Sequence, residues 1–400
     1  TAGSDIPAQG TFSPFSADEG KWGVEFDGTD DYLQIANSAD FNLGSGDFTL
    51  EAYVFQTSDA STASNSHNIF NKWNNTSSAK SYAFRITSSS GQKLQFFWST
   101  DGNNNNYITS NDSLTSNQWH HVAVVNNGGT ITLYIDGTAQ SSTGTAGTLY
   151  SASVNLNIGR TDADSGSQYF DGFISNARLV KGTAVYTSNF TTPTSPLTAI
   201  TNTKLLTCCS NRFRDKSTSA HAVGISSNPK VRPFSPFKNS AEYNPAVHGG
   251  SFLFEQNANS SLSVSHSTLF DFGTADYCIE AWLYPTQTSF SNSWAMWAST
   301  IGVNQYWAYT NGGGNESAAG FSSYPAGGYS ASNSHILKPF SWNHCVFQNT
   351  GGYENWYLNG TRIYNVQNNP SHGSSATGMM FGRANNYASY FYYGGYMSDV

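Results

Sequence analysis

Two glutamates stand where carboxylate chemistry could be staged. Glu51 lies in Phe48-Thr-Leu-Glu-Ala-Tyr-Val-Phe55, and Glu280 holds the same place in Tyr277-Cys-Ile-Glu-Ala-Trp-Leu-Tyr284. Retaining glycoside cleavage needs a second carboxylate about 5–5.5 Å away, on the same face of the strand. Glu51 is instead followed at +2 by Tyr53 and at +5 by Gln56, and Glu280 by Trp282 and Pro285. With no partner acid in either place, each reads as a structural carboxylate bonded to a neighbour. No catalytic residue is assigned, and the chain is expected not to be an enzyme.

Two other residue sets carry binding chemistry. Asp27, Asp30 and Asp31 crowd one turn, and Asp162, Asp164 and Asp171 another. Calcium takes six to eight oxygen ligands, so these turns are the metal candidates, with calcium as the cofactor. In the second half the corresponding regions hold Glu255 and Asn259, then Asn385, Asn386 and Gly394, and the charge is largely gone. Sugars are held by flat aromatic faces with amide and hydroxyl groups nearby. The candidates are Trp73, Asn75, Trp98, Asn103 and Tyr107 in the first half, and Trp294, Trp297, Tyr306 and Tyr309 in the second. Taken singly, each aromatic is more often core; as a set they make a recognition surface. His120 and His121 are adjacent on a strand. They point to opposite faces and cannot easily share a metal.

These side chains are set in a chain of unusual composition. Only 18 Lys+Arg and 26 Asp+Glu occur in 400 residues, so 11% of the chain is charged. A soluble domain ordinarily carries more than twice that share. The formal charge of −8 and the lack of a basic run argue against a nucleic-acid partner. No apolar run is long enough to insert in a membrane. Cys208, Cys209, Cys278 and Cys345 show no metal-type spacing. All four are read as reduced, with Cys278 and Cys345 packed as small hydrophobes in strands, so folding is expected in a reducing cytosol.

The chain repeats itself. Phe41-Asn-Leu-Gly-Ser-Gly-Asp-Phe48 matches Phe270-Asp-Phe-Gly-Thr-Ala-Asp-Tyr277 at an offset of 229 (270 − 41). Trp119-His-His-Val122 matches Trp342-Asn-His-Cys345, and Leu133-Tyr-Ile-Asp-Gly-Thr138 matches Trp356-Tyr-Leu-Asn-Gly-Thr361, both at 223 (342 − 119). Phe170-Asp-Gly-Phe-Ile-Ser-Asn-Ala177 matches Tyr393-Gly-Gly-Tyr-Met-Ser-Asp-Val400 at the same offset. Ordered blocks at steady offsets signal a duplicated module. Domains are expected at 1–200 and 201–400, the first lacking an N-terminal strand and the second a C-terminal one. That pattern suggests a window cut from a longer array, or strand exchange between neighbouring chains.

Alternation dominates the local pattern. Phe48, Leu50, Ala52 and Val54 would face one way, and Thr49, Glu51, Tyr53 and Phe55 the other. Asp136-Gly137 and Asn359-Gly360 are hairpin turns, and Asn126-Asn-Gly-Gly129 and Thr350-Gly-Gly352 join further strand pairs. The expected fold class is all-β: two tandem antiparallel β-sandwich jelly rolls.

Phe-Thr-Leu-Glu-Ala-Tyr-Val, Trp-His-His-Val-Ala-Val, Leu-Tyr-Ile-Asp-Gly, Asn-Ile-Gly-Arg and Phe-Asp-Gly-Phe-Ile-Ser-Asn-Ala-Arg resemble the concanavalin A-like, laminin-G-like jelly roll. Domains of that kind often carry a rim calcium, which the resemblance places in the first repeat. They also include endoglucanases, whose strand motif Glu-x-Asp-x-x-Glu neither copy has. The stretch Arg178-Leu-Val-Lys-Gly-Thr-Ala-Val-Tyr-Thr-Ser-Asn-Phe190, with Pro193 and Leu205-Leu-Thr-Cys208, is similar to virion structural proteins of marine tailed phages. The resemblance implies a non-enzymatic fibre, spike or capsid decoration, made in the host cytoplasm and placed on the virion exterior. Its partners would be host cell-surface glycan and other virion proteins. By analogy with fibre proteins it would be a homo-oligomer, such as a trimer. A spacer without ligand and a bacterial surface adhesin are the alternatives.

Overall fold

The computed structural model describes residues 20–59, 66–75, 78–87, 91–161, 168–237, 251–254, 261–265, 267, 275–286, 294–299, 307–312, 319–323, 330–332, 337–367, 379–382 and 393–400. The backbone is almost wholly extended. The chain divides into two compact units, Ala17–Ala241 and a C-terminal one that takes in Glu242–Val400.

The first unit runs β1 (Gly23–Asp27), β2 (Tyr32–Ile35), a 3₁₀ turn (Ala39–Phe41), β3 (Phe48–Gln56), β4 (His67–Trp73), β5 (Lys80–Thr87), β6 (Lys93–Trp98) and β7 (Asn106–Ser113). It continues through β8 (Trp119–Asn127), β9 (Thr130–Ile135), β10 (Thr138–Thr145), β11 (Leu156–Ile158), β12 (Asp171–Lys181), β13 (Thr203–Thr207), β14 (Val223–Ser226) and β15 (Lys230–Arg232). One antiparallel sheet is ordered β10-β9-β8-β3-β12-β1-β15, with β13 also on β12; the other is β14-β2-β11-β4-β5-β6-β7. Between them the core closes on Phe48, Leu50, Ala52 and Val54 from one sheet and Phe70, Tyr82, Phe84, Phe96 and Trp98 from the other, all buried. The two turn residues Asp136 and Gly137 have φ of +47° and +80°. That geometry lets a two-residue hairpin follow strand twist.

The second unit contains β16 (Phe252–Phe254), β17 (Leu262–Val264), β18 (Tyr277–Pro285), β19 (Trp294–Ser299), β20 (Trp307–Gly312), β21 (Ala319–Ser323), β22 (Ser330–Ser332), β23 (Asn343–Thr350), β24 (Tyr353–Leu358), β25 (Thr361–Gln367), β26 (Met379–Phe381) and β27 (Gly395–Ser398). Its sheets are β25-β24-β23-β18-β27-β16 and β22-β21-β20-β19-β26-β17. That order reproduces β10-β9-β8-β3-β12-β1 and β7-β6-β5-β4-β11-β2 strand for strand. Gly172 and Gly395 occupy the same place in β12 and β27, with φ of +130° and +147°. A Cβ at either would strike a carbonyl of the paired strand, Phe55 O or Tyr284 O, so only glycine fits.

The boundary expected at residue 200 moves. β13, β14 and β15 extend the first unit's sheets by pairing with β12, β2 and β1. Polar contacts fix them there. Asp40 takes Lys204, His221 and Ser219, and Glu25 takes Arg232 at 2.7 Å. Residues 183–200 cross the outer face of the β3–β8–β9 sheet, where Ala184, Tyr186 and Phe190 pack on Ala123, Val125 and Tyr134. Both faces of β3 are therefore buried, where alternation alone places Thr49, Glu51 and Tyr53 facing outward. Cys208, Cys209 and Cys345 are buried thiols, but Cys278 is exposed, contrary to the packing expected of it.

Candidate functional site

The outer face of the seven-stranded sheet gathers the polar and aromatic groups of the first unit. Strand register sets one row across it: Gly224, Gln34, Asn157, Asn71, Ala83, Phe97 and Tyr107 are successive cross-strand partners. Three of its seven residues, Gln34, Asn157 and Asn71, are amides. Gln34 Nε2 donates to Asn157 Oδ1 at 3.2 Å, and Asn71 Nδ2 donates to Thr161 Oγ1 at 3.0 Å. Asn157 Nδ2 has no acceptor among the described residues. Phe97 and Tyr107 end the row with two aromatics. Tyr107, 59% exposed, lies stacked on Phe97 with centroids 5.1 Å apart, and Trp73, itself buried at 8%, meets Phe97 edge-on at 6.3 Å from beneath the surface.

The cations Arg85 and Lys80 lie on the aromatic part of this surface. The Arg85 guanidinium sits 4.4 Å over the Phe97 ring, and Lys80 Nζ lies 5.6 Å from the Trp73 ring. Arg85 donates to the amide oxygens of Gln95 and Gln168, and Lys80 to the Asn103 carbonyl. Neither cation has a carboxylate partner among the described residues, although the chain carries an acidic excess of eight. Burial pushes the Arg85 guanidinium down to about 10, so it remains charged at neutral pH.

Four of the five candidates in the first half meet here. Trp73 Nε1 donates to Asn75 Oδ1 at 3.1 Å, and Asn103, beside Lys80, accepts from Ser78 N. Tyr107 completes the set. Trp98 does not belong to it: it is 3% exposed and points into the core beside Phe96. Leu94, Phe96 and Trp98 alternate with Gln95 and Phe97, and alternate side chains take opposite faces. In the second unit Trp294, Trp297 and Tyr309 take register positions opposite Thr310, Ala308 and Ala295, and Tyr306 lies outside the described residues. Motif reading missed Phe97, Arg85, Lys80, Gln34, Asn71 and Asn157. The alternation in Lys93-Leu-Gln-Phe-Phe-Trp98 was the signal that could have separated Phe97 from Trp98.

The acidic turns are partly united. The carboxylates of Asp27, Asp30 and Asp31 lie within 4.8 Å of one another, and Asp171 is the strand partner of Asp27. Asp162 and Asp164 lie outside the described residues. Backbone donors already use several oxygens: Thr29 N and Asp30 N on Asp27, and Asn228 N on Asp31. Burial pushes the Asp31 carboxyl up to about 6 against the lowering pull of the Asn228 amide, and the charges of Asp27 and Asp30 add to the rise. A carboxyl raised from 3.8 favours the fold most when protonated. Stability is expected to fall by about 2–3 kcal/mol from this group as pH rises from 4 through 6, then to level off. Denaturant midpoints between pH 4 and 8 should show that slope, and Asp31→Asn should flatten it.

The histidines are structural. His121 Nε2 contacts Glu51 Oε2 at 3.0 Å inside the protein, while His120 Nδ1 contacts Asp136 Oδ2 at 2.6 Å. Glu51 is fully consumed. It accepts from Arg178 Nε at 2.9 Å and from Tyr186 OH at 2.8 Å as well. Burial alone would raise its carboxyl, but His121 and the Arg178 charge hold it below the usual range.

The described strands form antiparallel sheets in both units, an all-β fold. Residues 27–185 match the family model Laminin_G_3, described as the concanavalin A-like lectin/glucanases superfamily. Solved structures similar to this chain include domains LG4-5 of the mouse laminin alpha1 chain, at 11% identity and TM-score 0.32, covering 100% of this chain and 92% of that one. A heptameric SAP-like pentraxin of Limulus polyphemus is 15% identical at TM-score 0.37, covering 54% of this chain and 95% of its own. The CBM40 of a Ruminococcus gnavus IT-sialidase is 12% identical at TM-score 0.31, with coverage of 41% and 91%. None of the three reaches a TM-score of 0.5, and none bears on function. No curated protein matches the chain. No helix among the described residues is long and apolar enough to cross a membrane.

Proposed function

We propose that the first unit grips an acidic surface polysaccharide on the outer face of its seven-stranded sheet and performs no reaction on it. The observation that carries this reading is the Trp73–Phe97–Tyr107 aromatic run with Arg85 and Lys80 laid over it, two cations without a carboxylate among the described residues. Aromatic faces with a few placed polar groups are the usual lining of a ligand site. Sugar rings would lie along the exposed Tyr107, and a carboxylate or sulfate on the ligand would pair with Arg85. The full engagement of Glu51 and the lack of a second acid on its strand support a binding role over hydrolysis. Calcium at Asp27, Asp30 and Asp31 belongs to the same reading as a structural ion. The phage-like phrasing of residues 178–208 supports a place on the exterior of a virion, in contact with other virion proteins.

Calorimetric titration with an acidic and a neutral polysaccharide tests the binding. The acidic polymer should bind, more weakly as salt rises, and Tyr107→Ala or Arg85→Gln should each weaken it at least tenfold. Equal binding of the neutral polymer would remove the acidic specificity, and no binding of either would leave the spacer without ligand. Antibody labelling of intact particles tests the location.

A further inference from the structure

The two units share one strand order, yet one surface is covered in the first and, among the described residues, left exposed in the second. In the first unit, the face of β3, β8 and β9 turned away from the core buries Thr49, Glu51, His121, Ala123 and Val125 completely or nearly so. Residues 183–200 lie over it. Thr49 Oγ1 donates to Thr183 O, Val185 N donates to Thr49 Oγ1, and Tyr53 OH donates to Pro193 O. Arg178 and Tyr186 neutralise and bond Glu51 from this side. β15 and β14 then pair with β1 and β2, closing one edge of each sheet.

The matching positions of the second unit are Cys278, Glu280, His344, Val346 and Gln348, on β18 and β23. The registers agree: Glu51 stands opposite Ala123, and Glu280 opposite Val346. Cys278 and Glu280 are exposed and the other three half-buried. The Glu280 side chain is 59% exposed where that of Glu51 is 0%. β16 and β17, the counterparts of β1 and β2, end their sheets with no further strand among the described residues. Phe252, Leu253, Leu262 and Val264 on these two edges are exposed, Phe252 at 63%. Unpaired edges with apolar side chains are templates for another strand.

We propose that this surface of the second unit is a docking site for a polypeptide strap with the chemistry of residues 178–232. The occupant brings an arginine to Glu280, a tyrosine hydroxyl beside it, and two short strands that pair with β16 and β17. Three observations choose this occupant: the anionic Glu280 calls for a cation, the open edges call for backbone, and the same surface built from the same strands is already covered that way in the first unit. A sugar would satisfy neither the apolar edges nor the unpaired strand amides.

Alkylation of Cys278 reads the docking directly. The full chain is compared with the same chain extended after Val400 by the sequence of residues 178–232, and with the unextended chain given that sequence as a separate peptide. Docking slows alkylation at least tenfold in one or both formats, slows amide exchange in β16 and β17, and weakens on Glu280→Gln. Alkylation unchanged in both formats overturns the proposal. So does protection of Cys278 in the unextended chain that grows with its concentration, which would assign the face to a second copy instead.

Discussion

Arg178→Met is expected to remove about 3–5 kcal/mol from the first unit, the range for breaking a buried ion pair from one side. The variant leaves Glu51, wholly buried, with only His121 and Tyr186 as partners. Arg178 also donates to Thr198 O at 2.7 Å, so the strap over residues 183–200 loses an anchor at the same time. Glu51→Ala should cost a similar amount, and the two together less than their sum, because each already abolishes the shared contact. The second unit supplies its own control. Glu280 occupies the equivalent position with only His344 as a partner among the described residues, at 3.1 Å. An exposed pair of that kind contributes little, and Glu280→Gln should change stability by about 0.5 kcal/mol at most. Hydrogen exchange on β3 and β18 peptides separates the two units. An effect of equal size in both would show that the ion pair is not what holds the strap. The pH dependence has a definite sign. Glu51 is held below its ordinary value of 4.5, so its contribution is complete above that pH and is lost as acid titrates it. This runs opposite to Asp31.

Lys72→Met should cost the first unit about 2–4 kcal/mol, though no carboxylate is involved. Lys72 lies in the core, and its ammonium donates to Asn37 Oδ1 at 2.6 Å, Val154 O at 2.7 Å and Ala152 O at 2.8 Å. Three donors meet three acceptors, which fastens residues 37 and 152–154 to β4. Methionine has nearly the same bulk and leaves all three oxygens without their donor, and unsatisfied buried acceptors carry the desolvation penalty. Burial pushes the ammonium down to about 8 from 10.5. In that interval the unfolded chain binds the proton more tightly, so the native protein should gain on Lys72→Met as pH rises from 8 toward 10. Chemical denaturation at pH 7 and pH 9.5 measures both effects. A variant as stable as the parent at pH 7 would show that the three acceptors find water instead.

Much of the sandwich was legible because strand alternation has a period of two and hairpin turns need particular residues. Phe48, Leu50, Ala52 and Val54 face the core as their spacing requires, and Asp136-Gly137 and Asn359-Gly360 turn as expected. The site was less legible. Trp73 and Tyr107 stood out by type, but Trp98 looked alike and is core, and Arg85 carried no motif at all. What brought Arg85 onto Phe97 was cross-strand register. Such a contact joins residues on different strands, and no local spacing encodes it.

The residues by themselves determined the all-strand class, the recurrence of one pattern along the chain and the lack of a paired acid on the Glu51 strand, since these depend on local periodicity and residue type. Only the tertiary structure decided that residues 203–232 complete the first unit, that Glu51 is sealed beneath a strap while Glu280 is open, and that amides, aromatics and cations converge on one sheet face. Those outcomes depend on which distant strands pair, and pairing is settled by burial and hydrogen-bond closure across the whole unit.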